Sequence, residues 1–310
     1  MNSIVLTGAT SMIGTAIVKE ALLSDKNVVA IVRKNSTKSD YLRSLKNSHN
    51  LEIVECDIHE YGTLDLNVQS DAFLHLAWQN TDSSARDDVY THVKNIKYTL
   101  DAINAAHRAG CKVFVSVGSQ AEYGRASGKL CGNTACDPES GYGIAKYAAG
   151  KMARLAAARY DMRHCHTRVL STYGEGMGET SLIIYLIKSL LCGKKPTLTK
   201  CEQMWDFMYV QDTARALLAV TENGVDGKTY PIGSAIAKPL REYVELIRDI
   251  VDPSIGLGFG EREYYPHQPM YLCADISELS ADTGFKPGIS FEDGISKTIE
   301  WVKSGIFGYF

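Results

Sequence analysis

Ile4-Val5-Leu6-Thr7-Gly8-Ala9-Thr10-Ser11-Met12-Ile13-Gly14 is the stretch whose reading decides the fold. Three apolar residues of a short strand run straight into a turn of small residues, and a helical pattern through Ala16–Leu23 follows at once. A turn this tight needs glycine where the backbone approaches a ligand or takes a positive φ. The helix N-terminus behind it offers free N–H groups and positive dipole to an anion. Gly8 and Gly14 hold the first and last glycine places of a dinucleotide-binding turn. Ser11, small enough to allow close approach, stands at the middle place, and Met12 and Ile13 complete the site. The strand–turn–helix context gives the pattern its meaning, against the bland reading of a merely structural turn.

Outward from this turn, short apolar runs alternate with helical periodicity. The strand candidates are Ile4–Leu6, Val28–Val32, Leu51–Val54, Ala72–Leu76, Val113–Val117 and His166–Leu170. Helical stretches lie around Ala16–Leu23, Thr99–Ala109 and Ser140–Ala158. This alternation predicts βαβ units and an α/β fold, a doubly wound parallel sheet of the Rossmann type. After residue 173 the rhythm changes. Glycine and polar residues cluster at Gly174–Glu179, and helical stretches follow at Leu182–Leu191, Leu240–Val251 and Phe291–Lys303. Thr229–Ile232 reads as one more strand of the main sheet. The expected division is a dinucleotide-binding domain over 1–173 plus about 205–233, and a smaller, discontinuous substrate-binding lobe over about 174–204 and 234–310.

The 310 residues carry a net charge of −3, so no strongly basic surface points to nucleic acid. The opening apolar run is too short for a leader or a membrane span, which predicts a soluble, cytoplasmic protein without membrane partners. Eight scattered cysteines fit a reduced set and not a disulfide framework. Cys131 and Cys136 are the closest pair and lack further ligands at metal spacing, so no metal is expected.

The second strand ends in Arg33-Lys34, where NAD-selective sites place an acidic residue for the ribose 2′-hydroxyl. Two cations suit a 2′-phosphate, or are simply solvated charges at a loop start. The reading favours NADP(H), with NAD(H) as the alternative. Asp57, with Ile58, follows the third strand and is placed for the adenine edge.

Tyr142-Gly143-Ile144-Ala145-Lys146 sits at the start of a helical stretch, so Tyr142 and Lys146 share one face. A nearby ammonium favours the phenolate and lowers the phenol toward working pH, where it exchanges a proton with a carbonyl or an alcohol. The spacing alone occurs in many helices. Its weight comes from the preceding strand, which ends in Ser116-Val117-Gly118-Ser119 and offers the Ser119 hydroxyl to the same substrate oxygen.

These motifs, in this order, resemble the extended short-chain dehydrogenase/reductase family, in its nucleotide-sugar epimerase, dehydratase and reductase branch. The series comprises the glycine turn, His75-Leu76-Ala77-Trp78, Asn95, Gly118-Ser119-Gln120-Ala121-Glu122-Tyr123-Gly124 and Tyr142…Lys146. It continues with Arg168…Tyr173-Gly174, Trp205-Asp206-Phe207-Met208-Tyr209-Val210-Gln211-Asp212, Ala274-Asp275-Ile276-Ser277 and Thr298-Ile299-Glu300-Trp301. The resemblance implies Tyr142 as acid/base, Lys146 as the residue that lowers its pKa and holds the nicotinamide ribose, and Ser119 as the group that orients the sugar oxygen. It also implies cofactor contacts at Leu76 and Ala77. A homodimer through helices near 92–108 and 142–158 follows as well.

The departures narrow the chemistry. Family dehydratases carry Asp-Glu after the Ser/Thr position; here stand Gln120-Ala121, and Ala121 also replaces the cysteine of 3,5-epimerases. Redox at a single carbon remains, most plausibly C4. Ser171 replaces the usual Asn, and Trp205 the usual Arg, both in substrate-contact regions. Substrate-binding candidates are Gln120, Ser171, Arg241 and Arg262, the arginines for the diphosphate of a nucleotide-diphosphate sugar; their bland alternative is surface charge. Glu122 reads as a supplementary acid or, better, a hydrogen-bonded loop residue. His164 and His166 suit a core or surface role, and Tyr264-Tyr265 suit base stacking or lobe packing. The leading function is 4-keto reduction of an NDP-4-keto-6-deoxy sugar by NADPH. The alternatives are an NDP-sugar 4-epimerase with tightly held NAD and a non-catalytic NAD(P)-sensing protein, the latter disfavoured by the intact Ser119, Tyr142 and Lys146.

Overall fold

The computed structural model describes residues 1–45, 47–265 and 268–305, apart from the side chain of Ser83. The last five residues of the expected lobe, 306–310, lie outside these. Seven strands make the main sheet: β1 (Ser3–Thr7), β2 (Asn27–Val32), β3 (Leu51–Glu55), β4 (Ala72–His75), β5 (Val113–Ser119), β6 (Arg163–Val169) and, after three shorter strands, β10 (Thr229–Ile232). All pair in parallel, in the order β10-β6-β5-β4-β1-β2-β3. This is the doubly wound α/β fold, with its crossing point between β1 and β4, where such sheets open a ligand crevice. Thr229–Ile232 joins the sheet as expected.

Alternation along each strand builds two cores. Ile4 and Leu6 point to one face, against α1 (Met12–Leu23) and α6 (Val210–Asn223). Val5 points to the other, beneath α3 (Val89–Arg108) and α4 (Gly141–Ala158). Ala102, Ala105, Ala106, Ala153 and Ala157 line this second core and let both helices settle close on the sheet. The short α2 (Ser39–Arg43) connects β2 to β3.

Past β6 the chain makes β7 (Ser171–Tyr173), α5 (Leu182–Leu191), β8 (Met204–Trp205) and β9 (Phe207–Tyr209) before α6. After β10 come β11 (Lys238–Pro239), α7 (Leu240–Val251), α8 (Ser277–Thr283) and α9 (Phe291–Lys303). β7 pairs with β9 and β8 with β11 in two small ribbons. Asp206, fully buried between β8 and β9, accepts from the amides of Ser234, Ala235 and Ala274 and so ties three segments together. No helix among the described residues is long and apolar enough to cross a membrane.

Candidate active site

The glycine turn is a cradle without room for side chains. Gly8 has φ +71°, and a Cβ there would fall 2.9 Å from the Ala77 nitrogen; a Cβ on Gly14 would fall 2.2 Å from the Gly8 carbonyl oxygen. Ser11 is the N-cap of α1: its hydroxyl accepts from the Gly14 amide (3.1 Å) and donates to the Gly8 carbonyl (2.7 Å). Met12 and Ile13 open the helix. Across the crevice, the Thr7 hydroxyl accepts from the amides of Leu76 (3.1 Å) and Ala77 (3.2 Å), so its own proton goes to His75 Nδ1 (2.9 Å). Burial, with Lys146 nearby, pulls His75 down to about 3, which keeps it neutral as a strut. Gly8, Gly14, Leu76 and Ala77 thus meet at one edge. Backbone at a helix N-terminus with no Cβ in the way fits a dinucleotide pyrophosphate.

At the carboxyl end of β2, Arg33 and Lys34 part company. Lys34 Nζ sits 2.5 Å from Glu60 Oε1, so its charge is already paired. Arg33 is exposed and has no ion-pair partner among the described residues. Asp57 Oδ1 accepts from the Lys34 amide at 3.2 Å, which holds the ends of β2 and β3 together, and Ile58 is buried beside it.

Ser119 closes β5 and caps the short turn Gln120–Glu122. Its hydroxyl accepts from the Ala121 amide (3.2 Å), and Glu122 Oε1 accepts from the Ser119 amide (2.9 Å), a reciprocal capping box. Tyr142 stands in the first turn of α4; its amide donates to the Arg86 carbonyl (2.8 Å), and Ser140 caps the helix through the Gly143 amide. Lys146, 6% exposed, donates to the Val117 carbonyl (2.8 Å) and lies 4.0 Å over the Trp78 ring. Trp78 and His92 both meet the Tyr142 ring edge to face. Trp78 Nε1 can only donate, so His92 Nδ1 accepts it (3.3 Å) and His92 Nε2 donates to the Ala85 carbonyl (3.0 Å).

Burial is the largest influence on both groups. Burial pushes the Tyr142 phenol up, against its hydrogen bond with Ser119 and the positive charge of Arg86. The same burial pulls Lys146 down to about 7, against the pull of Glu122. Two cations lie over the Tyr142 ring: Arg86, exposed and 5.6 Å from its centroid, and Lys146 at 5.8 Å. Nothing in the motif series marks Arg86; it comes from an irregular loop.

The substrate candidates are scattered. Gln120 follows Ser119 in the capping turn, and Ser171 opens β7, paired with Phe207. Arg241 and Arg262 lie apart from these, on the segment around 197–200. Arg241 Cζ stacks 3.8 Å over Phe259 and reaches the Lys200 carbonyl; Arg262 donates to Thr197 Oγ1 (3.0 Å) over the Tyr185 ring. Among the described contacts neither touches Ser119, Tyr142 or Lys146. Tyr264 accepts from the Glu202 amide (3.0 Å), which is lobe packing. Trp205, in β8, pairs with Lys238. Glu122 is fully buried and saturated by Ser119, His166 and Arg168, so it is no free acid.

Residues 4–233 match the model of the NAD dependent epimerase/dehydratase family. A dTDP-glucose 4,6-dehydratase of Salmonella typhimurium is 27% identical over 96% of this chain and 92% of its own length. Among solved structures, a UDP-N-acetylglucosamine 4-epimerase from Methanobrevibacter ruminantium M1, in complex with UDP-N-acetylmuramic acid, superposes with a TM-score of 0.87 at 24% identity. That match covers 98% of this chain and 99% of the other. A UDP-glucuronic acid 4-epimerase from Bacillus cereus, in complex with UDP-glucuronic acid and NAD, gives 0.85 at 23% identity, over 97% and 99%. Both likenesses are of fold.

Proposed function

We propose, from the premise that this chain belongs to the NAD dependent epimerase/dehydratase family, that it reduces the C4 ketone of a nucleotide-linked 4-keto-6-deoxy sugar. The observation that carries this reading is Tyr142 hydrogen-bonded to Ser119 with the Lys146 ammonium 5.8 Å from its ring, while Gln120 and Ala121 occupy the places that an eliminating acid and base would need. This chain therefore keeps the redox residues that the resemblance implies, without an acid and base at 120–121 for removing water.

The turn at Gly8–Gly14, with Leu76 and Ala77, would hold the cofactor pyrophosphate, and Lys146 the nicotinamide ribose. When bound, the nicotinamide supplies hydride to the carbonyl carbon. Ser119, its oxygen fixed by the capping turn, donates to the substrate oxygen and orients it. Tyr142, kept protonated by its burial, gives its proton to the same oxygen as it becomes an alcohol. Trp78 and His92 wall the phenol from water on one side. Arg33 supports NADPH as the reductant; the loss of Lys34 to Glu60 and the NAD bound by the Bacillus cereus relative narrow its margin over NADH.

Gln120 and Ser171 would contact the sugar, and Arg262 and Arg241 the diphosphate. The divided architecture, with a substrate lobe over 174–204 and beyond 234, belongs to the same reading. A homodimer is proposed through α3 and α4, whose outer faces expose Val89, Tyr90, Val93, Met152 and Leu155. Light scattering that returns a monomer mass would remove it.

The test is to supply the purified chain with NADPH and a nucleotide-linked 4-keto-6-deoxyhexose. One cofactor oxidised per sugar reduced is the expected result. Inversion at C4 of a nucleotide sugar with no net cofactor oxidation would replace this reading with the 4-epimerase, which the same three residues serve.

A further inference from the structure

Parallel strands covered on both faces ordinarily carry apolar runs. β5 and β6 break that rule on one face. Residues two apart point the same way, so Phe114, Ser116 and Gly118 stand in register beside His164, His166 and Arg168. All three β6 side chains are buried, as are Ser116 and Glu122. They form one unbroken chain: His164 Nε2 to Ser116 Oγ at 2.9 Å, Ser116 Oγ to His166 Nδ1 at 2.8 Å, and His166 Nε2 to Glu122 Oε2 at 3.0 Å. Glu122 then accepts from the Ser119 amide and from Arg168 Nε (2.9 Å). Two glycines make the room. A Cβ on Gly118 would fall 2.0 Å from Glu122 Oε1, and one on Gly150 of α4 would fall 2.6 Å from the His166 ring.

Donor and acceptor rules leave this chain two proton arrangements. A carboxylate only accepts, so His166 carries a proton on Nε2 in both. With His166 neutral, its Nδ1 accepts from the Ser116 hydroxyl, and Ser116 accepts from His164 Nε2–H; His164 Nδ1 is bare. One proton from water added at His164 Nδ1 lets each bond pass one along. The Nε2 proton goes to Ser116, and the Ser116 proton to His166 Nδ1. The net change is a single proton, resting on His166 beside Glu122.

The entry is a small cleft behind the sheet, lined by His164, His166 and Arg168, by Tyr147, Lys151 and Arg154 of α4, and by Gly227 and Thr229 at β10. Asp226 accepts from the His164 amide, and the titratable Tyr123 and Cys136 lie near Glu122 and Arg168. Burial, then His166 and Arg154, pull His164 down to about 3, so the proton does not stay where it enters. Burial pushes the Glu122 carboxyl up, but His166 and Arg168 outweigh it and hold it below the usual carboxylate range.

We propose that His164, Ser116, His166 and Glu122 form a proton relay through β5 and β6 that carries the protonation state of the rear cleft to the floor of the candidate active site, with Glu122 as a positioning residue for Ser119. The coupling rests on the proposed roles of Ser119, Tyr142 and Lys146. Glu122 reaches them by its bond to the Ser119 amide and by its charge, which opposes the lowering of Lys146 and adds to the raising of Tyr142. A proton on His166 offsets that charge, so Lys146 gives up its own proton more readily.

The experiment follows histidine side-chain nitrogen resonances of the full chain from about pH 5 to about pH 9, together with the pH dependence of NAD binding by calorimetry. In the unmodified protein, His164 and His166 should change with one shared midpoint. Ser116→Ala should separate them. It also leaves protonated His166 without an acceptor, so Glu122 stays uncompensated and the upper pH limit of NAD binding moves to higher pH. Glu122→Gln removes the charge and should move that limit to lower pH, by about one unit. Opposite signs from two substitutions do not follow from a merely structural role. Independent histidine midpoints in the unmodified protein, or a binding limit that neither substitution moves, overturn the relay. Failure to bind either NAD or NADP at any pH counts against the proposed function, while the shared midpoint and its loss in Ser116→Ala still decide the relay.

Discussion

The sheet's carboxyl edge and the segments that carry Arg241 and Arg262 treat charge in opposite ways. At the edge, Lys146 and Glu122 are buried and each is held by backbone or by another buried group. In the lobe, Arg241 and Arg262 are exposed and rest on the faces of Phe259 and Tyr185. Buried groups keep one geometry and strong fields, which proton transfer needs. Exposed arginines on aromatic faces re-aim at little cost, which suits gripping a phosphate but adds little to a reaction centre. If the contrast is real, substitutions at the edge should act on turnover and substitutions in the lobe on binding.

The largest effect is expected at Tyr142. Tyr142→Phe removes the proton donor and keeps the ring that Trp78 and His92 pack against. Turnover should fall by about 10²–10⁴, with cofactor affinity unchanged. Steady-state rates and cofactor titration of the same preparation measure both. Turnover close to that of the unmodified chain would show that the proton comes from elsewhere.

Arg262→Ala carries the middle effect and probes the other side of the contrast. The guanidinium already has a neighbour in Thr197 Oγ1, so its loss leaves no buried charge behind. The Michaelis constant for the nucleotide sugar should rise roughly tenfold, the worth of one charge-assisted hydrogen bond, with turnover nearly constant. An equal fall in turnover would mean that the lobe reaches the reacting carbon, and the contrast would collapse.

Legibility divides along the same line. Five of the six expected strands were readable within a residue or two, while β6 begins three residues before the expected His166, and α5, α7 and α9 match their apolar periodicity end to end, because each buries a continuous stripe. α3 was not. It begins at Val89, well before the expected Thr99, because its first turns are inverted: His92 and Asn95 are buried while Val89, Tyr90 and Val93 are exposed. The ribbons β7–β9 and β8–β11 are too short to show a period. Ser119-Gln120-Ala121-Glu122 does spell a capping box, but what Glu122 holds depends on His166 and Arg168, which only the sheet brings alongside. The arginines of the lobe gave no signal beyond their charge.

The smallest effect is expected at Arg33, and it tests whether the edge itself is uniform. Two adjacent cations end β2, and the sequence makes them equivalent. The structure does not: Lys34 is neutralised by Glu60, while Arg33 is exposed without an ion-pair partner among the described residues. One free guanidinium at a solvated position meets a 2′-phosphate with modest gain, since exposed pairs are screened and contribute about 1 kcal/mol or less. Arg33→Ala should therefore weaken NADPH by no more than about fivefold and leave NADH unchanged. Lys34→Ala should change neither, because its charge is spent on Glu60. Raising the salt concentration should erase the NADPH difference, as it would for any exposed contact. An equal loss for both cofactors would place Arg33 on the shared part of the dinucleotide, and a Lys34→Ala effect as large as that of Arg33→Ala would mean that the Glu60 pair opens when cofactor binds.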